Sequence, residues 1–406
     1  MKTYITIIFV ALVATNGWCQ TTLEEYVEFA VNNNPGLKSS YAEFEAAMQR
    51  VPQMSSLDDP TFRVSSFGQM VETRTGQQMA RFSLEQMFPW FGTLKEQKNA
   101  AALNAEASFE FFKSKRNELV LKVKQAYYPL YEIDESIRIN EGNLKLLESF
   151  KTVAVSRFQN GEGKLSDALR IDIMSNEIKT DITILEEKKR AYTIAFNKLI
   201  NREESAVVIT APYKKDGMPA IINRDSLSHN PQLEVFRKKV LAAQSQERVA
   251  ERQSMHKLGL GFEYIITQKR PGITFEDNGK DAYMAMVSVS LPIYRKKYKS
   301  VIKESQLMQT SFTEMQNEVE NNLIAEFELA QFELTRSRQQ VDLFQKQVAQ
   351  TNQVVNLLTS SYENNGAGFD EILEVERSLL KYQILEVGAD KEYSLAIAKM
   401  EYLVSN

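Results

Sequence analysis

The chain has 406 residues, 43% of them hydrophobic and 25% charged, with a formal net charge of -4 at pH 7. This is the composition of a folded protein, and it offers no basic excess for binding nucleic acid. Two histidines and one cysteine leave little material for metal or nucleophile chemistry.

Lys2 precedes an apolar stretch from Tyr4 to Ala14, followed by Thr15, Asn16 and Gly17, so residues 1–20 read as a secretory signal peptide cleaved near Cys19 or Gln20. The apolar run is too short to cross a hydrocarbon layer of about 30 Å. A lipid-bearing cysteine wants a small residue before it, and bulky Trp18 argues against lipidation of Cys19. Cleavage after Cys19 leaves a mature chain without cysteine, hence without disulfides. No later segment is apolar enough for a transmembrane helix, so a membrane role would have to use β-strands.

The next elements are helices at about 23–33 and 35–54, strands at about 61–67 and 78–87, and helices at about 92–160 and 164–201. Together, residues 21–201 form a first repeat. A polar connector, 202–228, carries Pro212, Gly217 and Pro219. The second repeat, 229–406, holds a helix at 231–256, strands at about 257–267 and 282–291, and helices at 293–363 and 369–404. At 1.5 Å per residue the helix from 92 to 160 would be roughly 100 Å long. Pro129 lies inside it and should bend it without ending it.

The strands alternate with period two. Ala80, Phe82 and Leu84 face away from Arg81, Ser83 and Glu85; Leu258, Leu260, Phe262, Tyr264 and Ile266 alternate with Gly259, Gly261, Glu263 and Thr267. Tyr283, Ala285, Val287, Val289 and Leu291 alternate with Met284, Met286, Ser288 and Ser290. An isolated alternating strand suits a soluble sheet with one buried face. Here four such strands form two hairpins, with Gly-containing loops around Gly68 to Gly76 and Arg270 to Gly279, and their other ends lead into helices. Four antiparallel strands leave two open edges, which hydrocarbon forbids, so a membrane barrel needs other copies of the chain. Two copies give a barrel filled by side chains, whereas three give twelve strands and room for a passage.

The duplication is visible in landmarks. Asn34-Pro35 and Asn230-Pro231 each introduce a helix, and Phe88-Pro89-Trp90 and Leu291-Pro292-Ile293 each close a strand. Phe158, Asn160, Leu165 and Leu169 recur 204 residues on as Tyr362, Asn364, Phe369 and Leu373. Ile171, Ile178, Leu185, Tyr192 and Leu199 sit seven apart and recur at the same offset as Val375, Tyr382, Ala389, Ala396 and Leu403, a coiled-coil seam.

In this order and duplication, including Leu23-Glu24-Glu25-Tyr26 to Asn34-Pro35, Pro89, Pro292 and the two helix turns, the mature chain resembles the TolC-like outer membrane factors. The resemblance implies a mainly α fold with a membrane β-barrel portion: long helical hairpins plus four strands per chain, joined in a homotrimer as a twelve-stranded barrel and a twelve-helix periplasmic tunnel. It further implies insertion in outer-membrane lipid and docking on a periplasmic adaptor (membrane fusion) protein. An inner-membrane pump would drive export. Asn160, Gly161 and Glu162, with Asn364, Asn365 and Gly366, match adaptor-contacting tips. Tyr362 and Asp167 match a hydrogen-bonded pair that closes the tip, Glu371 and Glu374 an acidic ring that narrows it, and Ala367 stands where a basic residue assists closure.

Other classes fit less well. A periplasmic coiled-coil scaffold without a pore accounts for the helices and heptads but needs no apolar-faced strands. An enzyme finds no nucleophile motif, phosphate-binding loop or metal-ligand spacing, so neither cofactor nor metal is expected. His229 and His256 read as surface or junction residues, and the scattered methionines as packing. The exported compound is not written in a passive conduit.

Overall fold

The computed structural model describes residues 22–211, 223–272, 274–363 and 368–405. The leader with Cys19, the connector residues Pro212, Gly217 and Pro219, and the turn residues Asn364, Asn365, Gly366 and Ala367 lie outside the described residues. In chain order the elements are α1 (Leu23–Asn33), α2 (Pro35–Ser55), β1 (Thr61–Thr73), β2 (Gly76–Phe88), α3 (Thr93–Gln159) and α4 (Leu165–Leu199). A short 3-10 turn (Arg224–His229) then leads to α5 (Pro231–Gln253), β3 (Leu258–Gln268), β4 (Ala282–Val289), α6 (Arg295–Glu363) and α7 (Phe369–Val404).

Helix α3 runs through Pro129 without a break. Proline forfeits one backbone bond there, and the burial of Tyr127, Tyr128, Leu130 and Ile133 around it offsets that loss. The two Asn-Pro landmarks do the same specific job. The Asn34 side-chain amide donates to the Leu199 carbonyl at the end of α4, 3.1 Å away, and Asn230 does the same for Leu403 near the end of α7 at 2.9 Å. Each Asn therefore satisfies a carbonyl that a helix terminus would otherwise orphan, while the proline that follows sits where its missing N–H costs nothing. The Asn230 Oδ1 additionally caps α5 by accepting from the Gln232 N–H.

The chain divides into two compact units. One gathers the described residues of Met1–Asn34, Glu118–Ile221 and Leu329–Tyr402, the other those of Pro35–Asn117, Ile222–Glu328 and Leu403–Asn406.

In the first, helical unit, the cluster Leu147, Ala154, Ile171, Ile178, Phe369, Ile372 and Leu373 is buried between α3, α4 and α7. The ion pairs Lys151–Asp172 and Lys189–Asp134 tie α4 to α3, and Lys391–Glu132 ties α7 to α3. One groove is lined by α3, α4 and α7, another by α3, α6 and α7, so α4 and α6 flank a central α3–α7 pair. The flanking helices carry most of the exposed large apolar side chains: Leu165, Leu169, Ile173 and Ile184 on α4, and Leu329, Phe332, Leu343, Val354 and Leu357 on α6. Ile173 to Ile184, and Phe332 to Leu343 to Val354, recur every eleven residues, the spacing of a nearly straight helical stripe.

In the second unit the strands form one antiparallel sheet in the order β1-β2-β3-β4. Directly paired side chains share a face. Val64, Phe82, Tyr264 and Tyr283 make one row across the sheet, and Phe62, Leu84, Phe262 and Ala285 the next. This apolar face is the exposed one: Phe62 is 63% exposed, Tyr283 77% and Val287 75%. On the other face Glu263 is 4% exposed and pairs with Arg81 at 2.6 Å, while the Ser288 hydroxyl donates to Glu85 at 2.9 Å. Gly259 on β3 makes room for these partners, since a Cβ there would lie 2.1 Å from the Ser288 hydroxyl and 2.6 Å from the Met87 sulfur. Water as solvent would favour the reverse arrangement.

The first hairpin is tighter than its sequence suggests. Gly68 lies within β1, and only Arg74 and Thr75 separate β1 from β2. The register shifts between Ser66 and Val71, and again between Gln78 and Ala80, so extra residues displace the alternation and hide the strand ends.

Candidate functional site

The site singled out by sequence is the end of the helical unit where α3 turns into α4 and α6 into α7. Helix α3 stops in two crossed hydrogen bonds: the Gly161 N–H donates to the Phe158 carbonyl at 3.0 Å and the Glu162 N–H to the Arg157 carbonyl at 2.9 Å. This closure needs a left-handed residue at its centre, and Gly161 supplies it at φ 77°. Asn160, Gly161 and Glu162 are exposed.

Sequence matching pairs Tyr362 with Asp167, but within the chain no hydrogen bond joins these two described residues. Tyr362 is instead engaged by Arg157. The guanidinium lies 4.3 Å from the ring centroid, and Nη1 donates to the Tyr362 carbonyl at 3.1 Å. The ring of Tyr362 also packs on Phe369, centroids 5.3 Å apart, and Phe369 meets Phe150 edge-on at 6.0 Å. A cation thus reaches the tip from α3, a place where sequence comparison with the second turn does not look for it. Asp167 stands in the first turn of α4, where the helix dipole favours a carboxylate, and accepts a long 3.5 Å bond from the Ser166 hydroxyl.

Glu371 and Glu374 are both exposed near the start of α7. Glu374 opens into a groove of about 830 Å³ shared with Glu177, Asp181, Arg377 and Lys381. Arg377 reaches Glu177 at 3.8 Å, so carboxylates outnumber the cations there. One acid escaped the sequence reading: Glu376 is 2% exposed, its Oε2 has no hydrogen-bond partner, and burial pushes its pKa up to about 7. Its signal was its place in the seam, since Phe369, Ile372, Glu376 and Leu379 follow the three-four spacing of core positions. Among the described residues no group of three or more His, Cys, Asp or Glu could hold a metal ion. No described helix is long and apolar enough to cross a membrane.

No family model matches the sequence, and no curated protein matches it. Solved structures do match the fold. The outer membrane protein VceC from Vibrio cholerae is similar with a TM-score of 0.73 at 14% identity, over 95% of this chain and 96% of that one. CusC, whose structures concern folding and transmembrane channel formation, gives a TM-score of 0.77 at 14% identity, over 97% and 95%. The open state of the MtrE outer membrane channel of Neisseria gonorrhoeae gives 0.73 at 16% identity, over 94% and 88%. At these identities the likeness is one of fold, and it spans nearly the whole of each chain.

The Arg157 contacts generate a test. A cation over an aromatic ring and a charge-assisted bond to a carbonyl are together worth about 1–3 kcal/mol. Arg157→Ala should therefore loosen the tip and speed tryptic cleavage after Lys164, in the α3–α4 turn, by about tenfold, as read by site-resolved mass spectrometry. An unchanged rate would show that Arg157 does not hold the turn.

Proposed function

We propose that this chain, which has the fold of outer-membrane channels, is one subunit of a trimeric outer-membrane conduit in a tripartite efflux system. The observation that carries this reading is the inverted sheet: apolar side chains outward, ion-paired side chains inward, and two strands with an unpaired edge. An apolar face of this kind suits lipid, and lipid admits no open edge, so β1 of one copy pairs with β4 of the next. Because β1 and β4 run antiparallel to each other in a four-stranded meander, this closure keeps every pairing antiparallel. Three copies give twelve strands, a barrel wide enough to conduct. The exposed apolar stripes on α4 and α6 would be buried by the same head-to-tail association, which brings twelve helices together in the trimer.

A scaffold without a pore leaves the exposed aromatic and aliphatic rows of the sheet unexplained. Catalysis has no part in the proposal, and neither has a cofactor. The energy for export comes from an inner-membrane pump, reached through a periplasmic adaptor that docks on Asn160, Gly161 and Glu162 and on the equivalent turn at Asn364, Asn365 and Gly366. The domain reading, two repeats at 21–201 and 229–406 behind a cleaved leader and joined by 202–228, belongs to the same proposal.

At the tip, Arg157 holds Tyr362 within the chain, which leaves Asp167 on the outer helix α4 for a contact with the neighbouring copy. Since α6 of one copy meets α4 of the next, Tyr362 and Asp167 close the tip across that seam. Glu371 and Glu374 of three copies place six carboxylates around the narrowing.

The assembly is tested by extracting the full chain from membranes: a detergent-solubilised trimer from the outer-membrane fraction is expected by light scattering, and a monomer soluble without detergent would refute the proposal. The tip is tested in planar bilayers. Tyr362→Phe with Asp167→Ala removes a charge-assisted bond worth about 1.5–3 kcal/mol at three seams and should raise conductance. Glu371→Ala with Glu374→Ala should instead weaken cation preference, because clustered carboxylates concentrate cations in a narrow passage. Wild-type conductance in the first variant, or wild-type selectivity in the second, would remove those residues from gate or ring.

A further inference from the structure

The interior of the helical unit holds a group that the channel reading leaves unused. Glu376 occupies a seam position of α7 between Ile372 and Leu379, where an apolar side chain would pack without cost. It lines a groove of about 660 Å³ between α3, α6 and α7. From α3 the groove receives Asn143 and, farther along, Tyr131, Glu135 and Arg138; from α6 it receives Asn352 and Asn356 and no ionisable side chain. Helix α7 itself adds Glu386 and Asp390, two to three or more turns from Glu376.

Arg138 is committed to Glu135, 2.6 Å away, and burial followed by the charges of Glu135 and Asp390 pushes the Tyr131 phenol up to about 12. The ionised cluster therefore sits at the Tyr131 end. Glu376 shares the groove with amides, and burial is the one cause that raises its pKa. Amide oxygens can accept from a protonated carboxyl, whereas an ionised carboxylate in that seam lacks a cation and must draw in water.

We propose that Glu376 is a proton-operated latch between α7 and the helices α3 and α6: protonated and uncharged, it stays packed in the seam and seats α7; ionised, its proton released to water, it loosens the seam. The sign follows from the raised pKa. The ordinary value is 4.5 and the buried value about 7, so the latch is fully engaged below the first, weakens between them and is released above the second. The same helix carries Glu371 and Glu374 and begins beside Tyr362, so releasing it bears on the tip. That consequence for conduction rests on the channel reading, whereas the latch does not.

The test is hydrogen exchange of peptides spanning residues 370–385 in the detergent-solubilised full chain, corrected for intrinsic exchange, across the pH range that brackets the transition. Wild-type protection should fall at least about tenfold as pH rises from 4.5 to about 7 and level off above that. Glu376→Gln, neutral at every pH and still a donor, should keep the protection seen at low pH throughout. Glu376→Leu, which fills the seam without a polar atom, should do the same and guards against a misfolded Gln variant. Flat wild-type protection, or a Gln variant that titrates like wild type, overturns the latch. If exchange behaves as expected but bilayer conductance is absent, the latch stands and the channel reading falls; if conductance is present and exchange is flat, the reverse holds.

Discussion

An unpaired backbone edge, which hydrocarbon does not tolerate, is the constraint on which the proposed assembly depends. Each N–H or C=O left without a partner there costs several kcal/mol, far more than any side-chain contact can return. Strands β1 and β4 each have one unpaired edge, and no further strand among the described residues covers them. The exposed rows Val64–Phe82–Tyr264–Tyr283 and Phe62–Leu84–Phe262–Ala285 are apolar, and the proposal seats them in lipid for that reason. On that proposal, medium and edges together make the single chain an incomplete object.

The helical unit and the sheet obey opposite solvent rules. In the helical unit, apolar seam residues such as Leu147, Ile171 and Ile372 are buried and the charges lie outside, as in any water-soluble bundle. In the sheet the order is inverted, with Arg81 ion-paired to Glu263 and the Ser288 hydroxyl donating to Glu85 on the inner face. Gly259 belongs to that inversion, because only an absent side chain lets Met87 and Ser288 lie across β3. The helical unit departs from its own rule at Glu376, a charge-bearing residue in an apolar seam, and departures of this kind are where function is sought.

Most of the helical architecture was legible because heptads and Asn-Pro pairs are local patterns. The ends of α3 and α6 follow from Gly161 and from the Pro292 segment, and Asn34 and Asn230 advertise helix starts by residue type alone. The strand ends were less legible: bulges near Ser66 and Gln78 shift the period-two pattern, and periodicity is the only signal a strand has. At the tip, sequence matching could align Tyr362 and Asp167 but could not see Arg157, which arrives from 205 residues away to occupy the tyrosine face. Fold likeness at 14–16% identity without any sequence-level match has the same cause, since alternation, heptads and turn glycines constrain pattern far more than residue identity.

The central claim, that β1 of one copy completes β4 of another, is tested most directly by cross-linking. Cysteines replacing Val64 on β1 and Val287 on β4 would be joined by a short bifunctional thiol reagent in membranes and resolved on a denaturing gel. The account predicts a covalent ladder that ends at three chains, with each single variant remaining monomeric on the gel. Products confined to one chain, or a ladder that continues beyond three, would contradict it.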